Sequence, residues 1–310
     1  MNRKIAVIMG SDSDFDAMKG IIPILRENGV DYEFRVISAH RTPLKAAEFA
    51  QNVKADGYDL IIAGAGMSAH LPGVLAAFTG VPVIGLPIKS DSSGMDGMDA
   101  LHSIIQMPPG IPVATVGIGH AEGAAKLAVK MIGCGTMIAA RSSFHVRIVY
   151  NRNETSEANL EKSVKVLETY GINHTVTDLT GAGKETVINR LDLSDSNSFA
   201  IINLTGIDIE NILKNDKNGK DIPIVEVPLK ASSNEFNETS KKIYFQTQNS
   251  ESTAFVGVNS YQNAAHLVAR IAGIHDRAVY DSVVSEHAKL AAAVIEKDAK
   301  IRGEVNKSKQ

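Results

Sequence analysis

Short runs of β-branched residues alternate with longer amphipathic stretches through the first part of the chain. Residues 5–9 (IAVIM) read as a strand that ends in Gly10-Ser11-Asp12-Ser13-Asp14, and 15–28 then carry helical spacing up to Gly29. A second strand is expected over 32–37, followed by a helix over 43–56 with Pro43 in its first turn. A third strand (60–63), a helix (72–78), a fourth strand (81–86), a helix (98–105), a short strand (113–116) and a helix (121–132) complete the series. Strands that alternate with helices and are almost continuously apolar predict a parallel sheet covered on both faces, a three-layer α/β/α fold.

The pattern then recurs. HVRIVY (145–150) lies over KIAVIM (4–9), and VKVLETYGINH (164–174) over IPILRENGVDY (22–32). FAIINLTG (199–206) lies over DLIIAGAG (59–66), and IPIVEVPLK (222–230) over VPVIGLPIK (81–89). FVGVNSYQNAAHLVARIAG (255–273) lies over TVGIGHAEGAAKLAVKMIG (115–133). Five matches in one order, at an offset of about 141 residues, predict an internal duplication. The expected division is a first domain over 1–135, a repeat of the same fold over 144–274 and a C-terminal helix over 275–301. The alternative is two unrelated α/β domains with similar strands. The loops diverge where the strands do not: GSDSD becomes NRNET (151–155), SAHRTP becomes LTGAGK (179–184), GAGMSAHLPG becomes NLTGIDIENI (203–212) and QMPPGIPVAT becomes QTQNSESTAF (246–255). Ligands of open α/β sheets bind at strand carboxyl ends. A copy that keeps its core and loses those loops is expected to be released from catalysis.

Length suits two such domains. The net charge of -3, with acids and bases interspersed, points to neither nucleic acid nor an anionic membrane as partner. The single cysteine, Cys134, excludes an intrachain disulfide and multi-cysteine zinc sites. The start of the chain reads as a buried strand rather than a signal peptide, and the longest apolar region, 73–88, is broken by Gly80, Pro82, Gly85 and Pro87. A cytoplasmic location is expected.

Four loops carry candidate chemistry. In 10–14, Ser11 and Ser13 offer hydroxyls and Asp14 an acceptor for ribose, around backbone N–H groups that can face an anion; the same residues also suit a plain helix cap. In Ser38-Ala39-His40-Arg41-Thr42-Pro43, Arg41 supplies a permanent forked cation for phosphate and His40 a proton carrier near neutral pH; the other reading is a surface loop capped by Thr42. The small residues of 64–73 let backbone approach a flat ligand, with His70 as a second histidine. The stiff run 106–112 is either a pocket wall or a rigid connection. No His, Cys, Asp and Glu set has metal-ligand spacing, and no G-x-S-x-G elbow occurs.

Taken together, MGSDSD, SAHRTP, AGAGMSAHLPG, PVIGLP and DALHSIIQMPPGIPVATVGI, in this order, closely resemble the N5-carboxyaminoimidazole ribonucleotide mutases, the bacterial-type branch of the phosphoribosylaminoimidazole carboxylase family. The resemblance is strong over 4–133 and fades over 145–300. It implies a parallel flavodoxin-like sheet, here duplicated in tandem, and a purine-biosynthesis reaction without metal or organic cofactor. In that reaction a carboxylate moves from the exocyclic nitrogen of a phosphoribosyl-imidazole substrate to carbon 4 of the ring. By position, the resemblance makes His40 the proton-transfer residue. Ser11, Asp14 and Arg41, helped by Ser38, would hold ribose and phosphate, and 64–71, with Gly66, Ser68, His70 and Leu71, would wrap base and CO2.

It also implies a homo-oligomer. Single-domain members form octamers, so four tandem chains would supply eight modules, with 275–301 either taking the part of the family's long assembly helix or packing as an ordinary amphipathic helix on its own domain. Three departures stand out: Met67-Ser68 where members usually carry Gly-Ala, Gly123-Ala124-Ala125 where the Asn-Ala-Ala helix start appears only as Asn263-Ala264-Ala265, and a long C-terminal helix after the second copy alone. The competing readings are a carboxylase that uses CO2 directly and a non-catalytic nucleotide-binding regulatory protein.

Overall fold

The computed structural model describes residues 3–90, 93–133, 144–191, 193, 198–216, 219–230 and 236–307. Cys134 and most of the expected join near 133–144 lie outside the described residues. The strands are β1 (Lys4–Met9), β2 (Asp31–Val36), β3 (Leu60–Gly66), β4 (Val83–Ile88), β5 (Ala114–Thr115), β6 (His145–Tyr150), β7 (Asn173–Asp178), β8 (Ser198–Leu204), β9 (Ile224–Glu226) and β10 (Ala254–Phe255). They form one ten-stranded sheet in the order β2-β1-β3-β4-β5-β10-β9-β8-β6-β7. Every pairing is parallel except the central one, where Phe255 of β10 lies antiparallel to Thr115 of β5. Counted outward from that seam, both halves show the same flavodoxin-like order.

Strand alternation explains the layers. Ile5, Val7 and Met9 of β1 enter one core, while Ala6 and Ile8 enter another. The first core runs unbroken across both halves, taking in α2 (Ile21–Glu27), α6 (Ala121–Gly133), α7 (Glu157–Thr169) and α11 (Tyr261–His275). The opposite face is split. The first half packs α3 (Pro43–Asn52), α4 (Leu71–Ala76) and α5 (Met98–Ile105). The second packs α8 (Lys184–Leu191) and α9 (Ile209–Leu213). The parallel, doubly covered sheet is as predicted; the two halves share it, the large core on one face, and a small cluster of Leu101, Ile105, Ile243 and Phe255 at the seam on the other.

Several element limits differ from expectation. The helix expected over 15–28 is two pieces, α1 (Phe15–Met18) and α2. Pro23 lacks an N–H and its ring would clash with the carbonyl four residues back, so α2 restarts at Ile21 and places Pro23 in its first turn. The second half also contains α10 (Phe236–Asn249), which the repeat pattern does not reveal because its sequence is mostly polar. The C-terminal helix is longer than expected: α12 spans Arg277–Lys307, with the Asp276 carboxylate accepting from the N–H groups of Ala278 and Val279.

The seam is held by reciprocal contacts. A Cβ on Gly117 would stand 2.6 Å from the Thr247 carbonyl oxygen, and one on Gly257 3.0 Å from that of Ile105. The α11 start reaches into the 106–112 loop: Asn263 Oδ1 accepts from Gly110 N–H at 2.8 Å, and its Nδ2 donates to the carbonyls of Met107 (3.1 Å) and Pro108 (3.0 Å). Farther along α11, the buried Arg270 donates to the Ala76 carbonyl at the end of α4 (3.1 Å). From the other side, Lys130 of α6 faces Glu210 of α9 at 3.9 Å. Leu290 of α12 lies against Gly110.

Because the Thr247 carbonyl is backbone and cannot swing aside, Gly117→Ala is expected to lower unfolding stability by about 2–4 kcal/mol in urea titration. Gly133→Ala, whose added Cβ meets nothing within 4 Å, should change it by under about 1 kcal/mol.

Candidate active site

With strand order 2-1-3-4-5, the connections from β1 and β3 leave toward opposite faces, and a crevice opens outside their carboxyl ends. A cleft of about 960 Å³ lies there, lined by the turn after β1, the loops after β2 and β3, and the end of β4. Ser11, Asp14, Ser38, His40, Arg41, Gly66, Ser68, His70 and Leu71 all line it. The structure therefore brings every sequence-predicted site residue into one hollow, formed by the first half.

Local hydrogen bonds fix each segment. After β1, Ser11 N–H donates to Asp14 Oδ2 (3.1 Å) and Ser13 N–H donates to Ser11 Oγ (3.4 Å), a reciprocal capping arrangement. The helix-cap reading of this motif is thus realised, while Ser11, Ser13 and Asp14 still face the cleft. Burial raises the Asp14 carboxyl above its ordinary value, and the Ser11 N–H acts in the opposite sense.

After β2, the Ser38 carbonyl accepts from both the N–H and the hydroxyl of Thr42 (2.9 Å each). Ser38 N–H donates to Thr42 Oγ1 (3.1 Å), and Ser38 Oγ accepts from Arg41 N–H (3.1 Å). Thr42 therefore closes the loop on itself rather than capping α3 through its side chain. This tight turn turns His40 and Arg41 outward, and both are exposed.

After β3, two successive short turns, Ala69 N–H to Met67 O (2.9 Å) and His70 N–H to Ser68 O (2.7 Å), swing the chain into α4. A Cβ at Gly66 would stand 3.0 Å from the Ile88 carbonyl, so only glycine lets β3 and β4 run this close here. His70 then meets His40: Nε2 of His40 lies 2.9 Å from Nδ1 of His70, with the rings edge to face. One of the two nitrogens donates and the other accepts, and the tautomers of the two rings set which. No ion pair to Arg41 occurs among the described residues. The cleft thus combines a shared proton, an available cation and small, closely packed backbone, which suits proton transfer on a phosphorylated ligand.

Lining residues missed from the sequence include Asp16 and, at the end of β4, Lys89 and Ser90. For the last two, their position just past the fourth apolar strand was the available signal. Lys89 pairs with Asp96 at 2.6 Å. The 106–112 loop, one of whose readings was a pocket wall, does not line this cleft. It leads into the amino end of β5, away from the strand carboxyl ends, and is clamped by Asn263 instead. No cluster of three or more His, Cys, Asp or Glu side chains suited to a metal ion occurs among the described residues. No helix among them is long and apolar enough to cross a membrane.

Comparison with known proteins is concentrated on this half. A family model described as AIR carboxylase matches residues 4–144. The N5-carboxyaminoimidazole ribonucleotide mutase of Pyrococcus abyssi is 57% identical over 129 residues, covering 42% of this chain and 73% of that protein. The phosphoribosylaminoimidazole carboxylase of Saccharomyces cerevisiae is 45% identical over 167 residues, 54% of this chain and 28% of that protein. Among solved structures, Treponema denticola PurE is 30% identical, with a TM-score of 0.38 over 45% of this chain and 82% of its own.

Met67 occupies the left-handed region (φ 54°) on the exposed lip of the cleft. A side chain there is strained, so Met67→Gly is expected to raise unfolding stability by about 0.5–1 kcal/mol in denaturant titration.

Proposed function

The chain belongs to the AIR carboxylase family, and we propose that its first-half cleft converts N5-carboxyaminoimidazole ribonucleotide to 4-carboxy-5-aminoimidazole ribonucleotide, a step of de novo purine biosynthesis. The observation that carries this reading is the His40–His70 contact of 2.9 Å beside the exposed Arg41 in one cleft.

The chemistry follows from the residues. The bond from the exocyclic nitrogen to the carboxyl carbon breaks, CO2 leaves and the nitrogen takes up a proton. Carbon 4 then attacks CO2 and loses its own proton, so the whole reaction consumes none. A histidine that can accept and return a proton serves both steps. His40 is that residue, and His70 holds its ring and shares the proton at Nε2. Arg41 takes the phosphate as a forked cation. Ser11, Ser38 and Asp14 bind the phosphoribosyl group, and Gly66, Ser68 and Leu71 close around ring and CO2. A narrow cleft keeps CO2 beside carbon 4, which gives a proximity that diffusion from solution does not.

We assign 1–135 as the catalytic unit and 144–274 as a non-catalytic repeat. The matching strand order supports a common origin. At the second half's equivalent strand ends, Arg152 pairs with Asp178 and Thr180 bonds to Asn151, which ties together the loops that would have to admit a ligand. The exposed Val294, Ile295, Ile301 and Val305 of α12 support a role in assembly, with four tandem chains in place of eight single modules. The setting is the cytoplasm and the partner a small phosphorylated imidazole, not nucleic acid.

Turnover of the purified protein should be fast with N5-carboxyaminoimidazole ribonucleotide and slow with aminoimidazole ribonucleotide plus bicarbonate; the reverse preference would assign direct carboxylation, and activity on neither would leave a binding role. His40→Asn should lose about 10²–10⁴-fold in kcat while substrate still binds. Full activity in that variant would remove His40 from the reaction.

A further inference from the structure

The second half has a buried polar group where the first half has none. Across β8 and β9, Asn203 pairs with Glu226; the corresponding pair on β3 and β4 is Ala63 with Gly85. A Cβ at Gly85 would overlap Ile104 and Val113, so that position is packed solid. Glu226, by contrast, is a carboxyl only 5% exposed, flanked on β9 by the buried Ile224 and Val225. Placing such a group there costs stability unless it is hydrogen-bonded.

Half of it is. Asn203 uses its whole amide: Oδ1 accepts from the N–H (3.1 Å) and hydroxyl (2.7 Å) of Thr205, and Nδ2 donates to the Ile207 carbonyl (2.8 Å) and to Glu226 Oε2. This fixes the carboxyl with Oε2 engaged and leaves Oε1 buried without a hydrogen-bond partner. Oε1 of Gln246, on α10, is buried and unpartnered as well. Both residues line a cavity of about 190 Å³ that is walled by Ile209, Ile224 and Phe255, with the exposed Phe245 at its rim.

We propose that this cavity binds a small amino-substituted nitrogen heterocycle of nucleobase size. Its ring lies between the apolar walls, its ring nitrogen accepts a hydrogen bond from Glu226 Oε1, and its amino group donates to Gln246 Oε1. The size matters: pockets for larger ligands run from about 300 Å³ upward, so this one takes a bare base and not a nucleotide. The polarity matters too. Burial raises the Glu226 carboxyl well above the carboxylate range, which favours its protonated form. With Oε2 accepting from Asn203, Oε1 is the oxygen left to donate when the carboxyl is protonated. A donor at Glu226 and an acceptor at Gln246 are together complementary to a ring nitrogen flanked by an amino group. The inference is independent of the reaction assigned to the first half.

Calorimetric titration of the full chain with adenine and 2-aminopyridine, and with hypoxanthine as a base lacking the amino group, tests it. Adenine and 2-aminopyridine should bind saturably at one site per chain, and hypoxanthine about tenfold or more weaker. Glu226→Gln keeps an N–H donor and should bind within about threefold of the native chain, whereas Glu226→Met and Gln246→Met should each lose about tenfold or more. Arg41→Ala should leave this binding unchanged, which separates it from the first-half cleft. If Glu226→Met fails to fold, Gln246→Met decides. No saturable binding to the native chain, or binding that these methionine variants leave unchanged, overturns the proposal; so does a direct Glu226–Gln246 hydrogen bond filling the cavity in a crystal structure.

Discussion

The antiparallel seam between β5 and β10 is where two parallel half-sheets become one molecule. Both strands are only two residues long, so the hydrogen bonds between them contribute little by themselves. What holds the seam is the approach of backbone to backbone at Gly117, where a side chain would collide with the Thr247 carbonyl, and at Gly257, where one would crowd that of Ile105. With the strands locked at that distance, α11 comes close enough to place Asn263 in the 106–112 loop and Arg270 at the end of α4. The single core across one face depends on the same distance, since α6 and α11 both contribute to it.

This frame accounts for the division of labour in the chain. The first-half cleft sits at the switch between β1 and β3, and its working loops are stiffened by short-range bonds such as Ser38 to Thr42. The helix that starts beside His70 ends at the Ala76 carbonyl, where the second half holds it through Arg270. The second half therefore touches the frame behind the site without contributing a residue to the cleft. Its own strand ends are bridged by Arg152 and Asp178, and its distinctive chemistry lies deeper, at Asn203 and Glu226.

Much of this was legible in the sequence. The doubly covered sheet follows from near-continuous apolar strands such as IAVI and LIIA, and the candidate site residues came from loops at strand ends that resemble those of the mutase family. The His40–His70 contact was not legible, because it depends on how two loops thirty residues apart turn toward each other. The break at Pro23 was readable, but the helical spacing across 15–28 masked it. Of the two readings of 106–112, the rigid connection is the one that agrees with its clamping by Asn263, and the polar α10 offered no apolar stripe to find. Fusion of the half-sheets was hidden for a similar reason: the glycines at the seam look like ordinary turn residues until the facing carbonyls are placed.

The central claim is that the carboxylate is moved within the first-half cleft and not drawn from solution. The most direct test uses substrate labelled with carbon-13 in its N-carboxylate, turned over in the presence of unlabelled bicarbonate, with the label in the product read by mass spectrometry. Retention of nearly all the label at carbon 4 is the predicted result. Dilution of the label to the level of the bicarbonate pool would contradict the account.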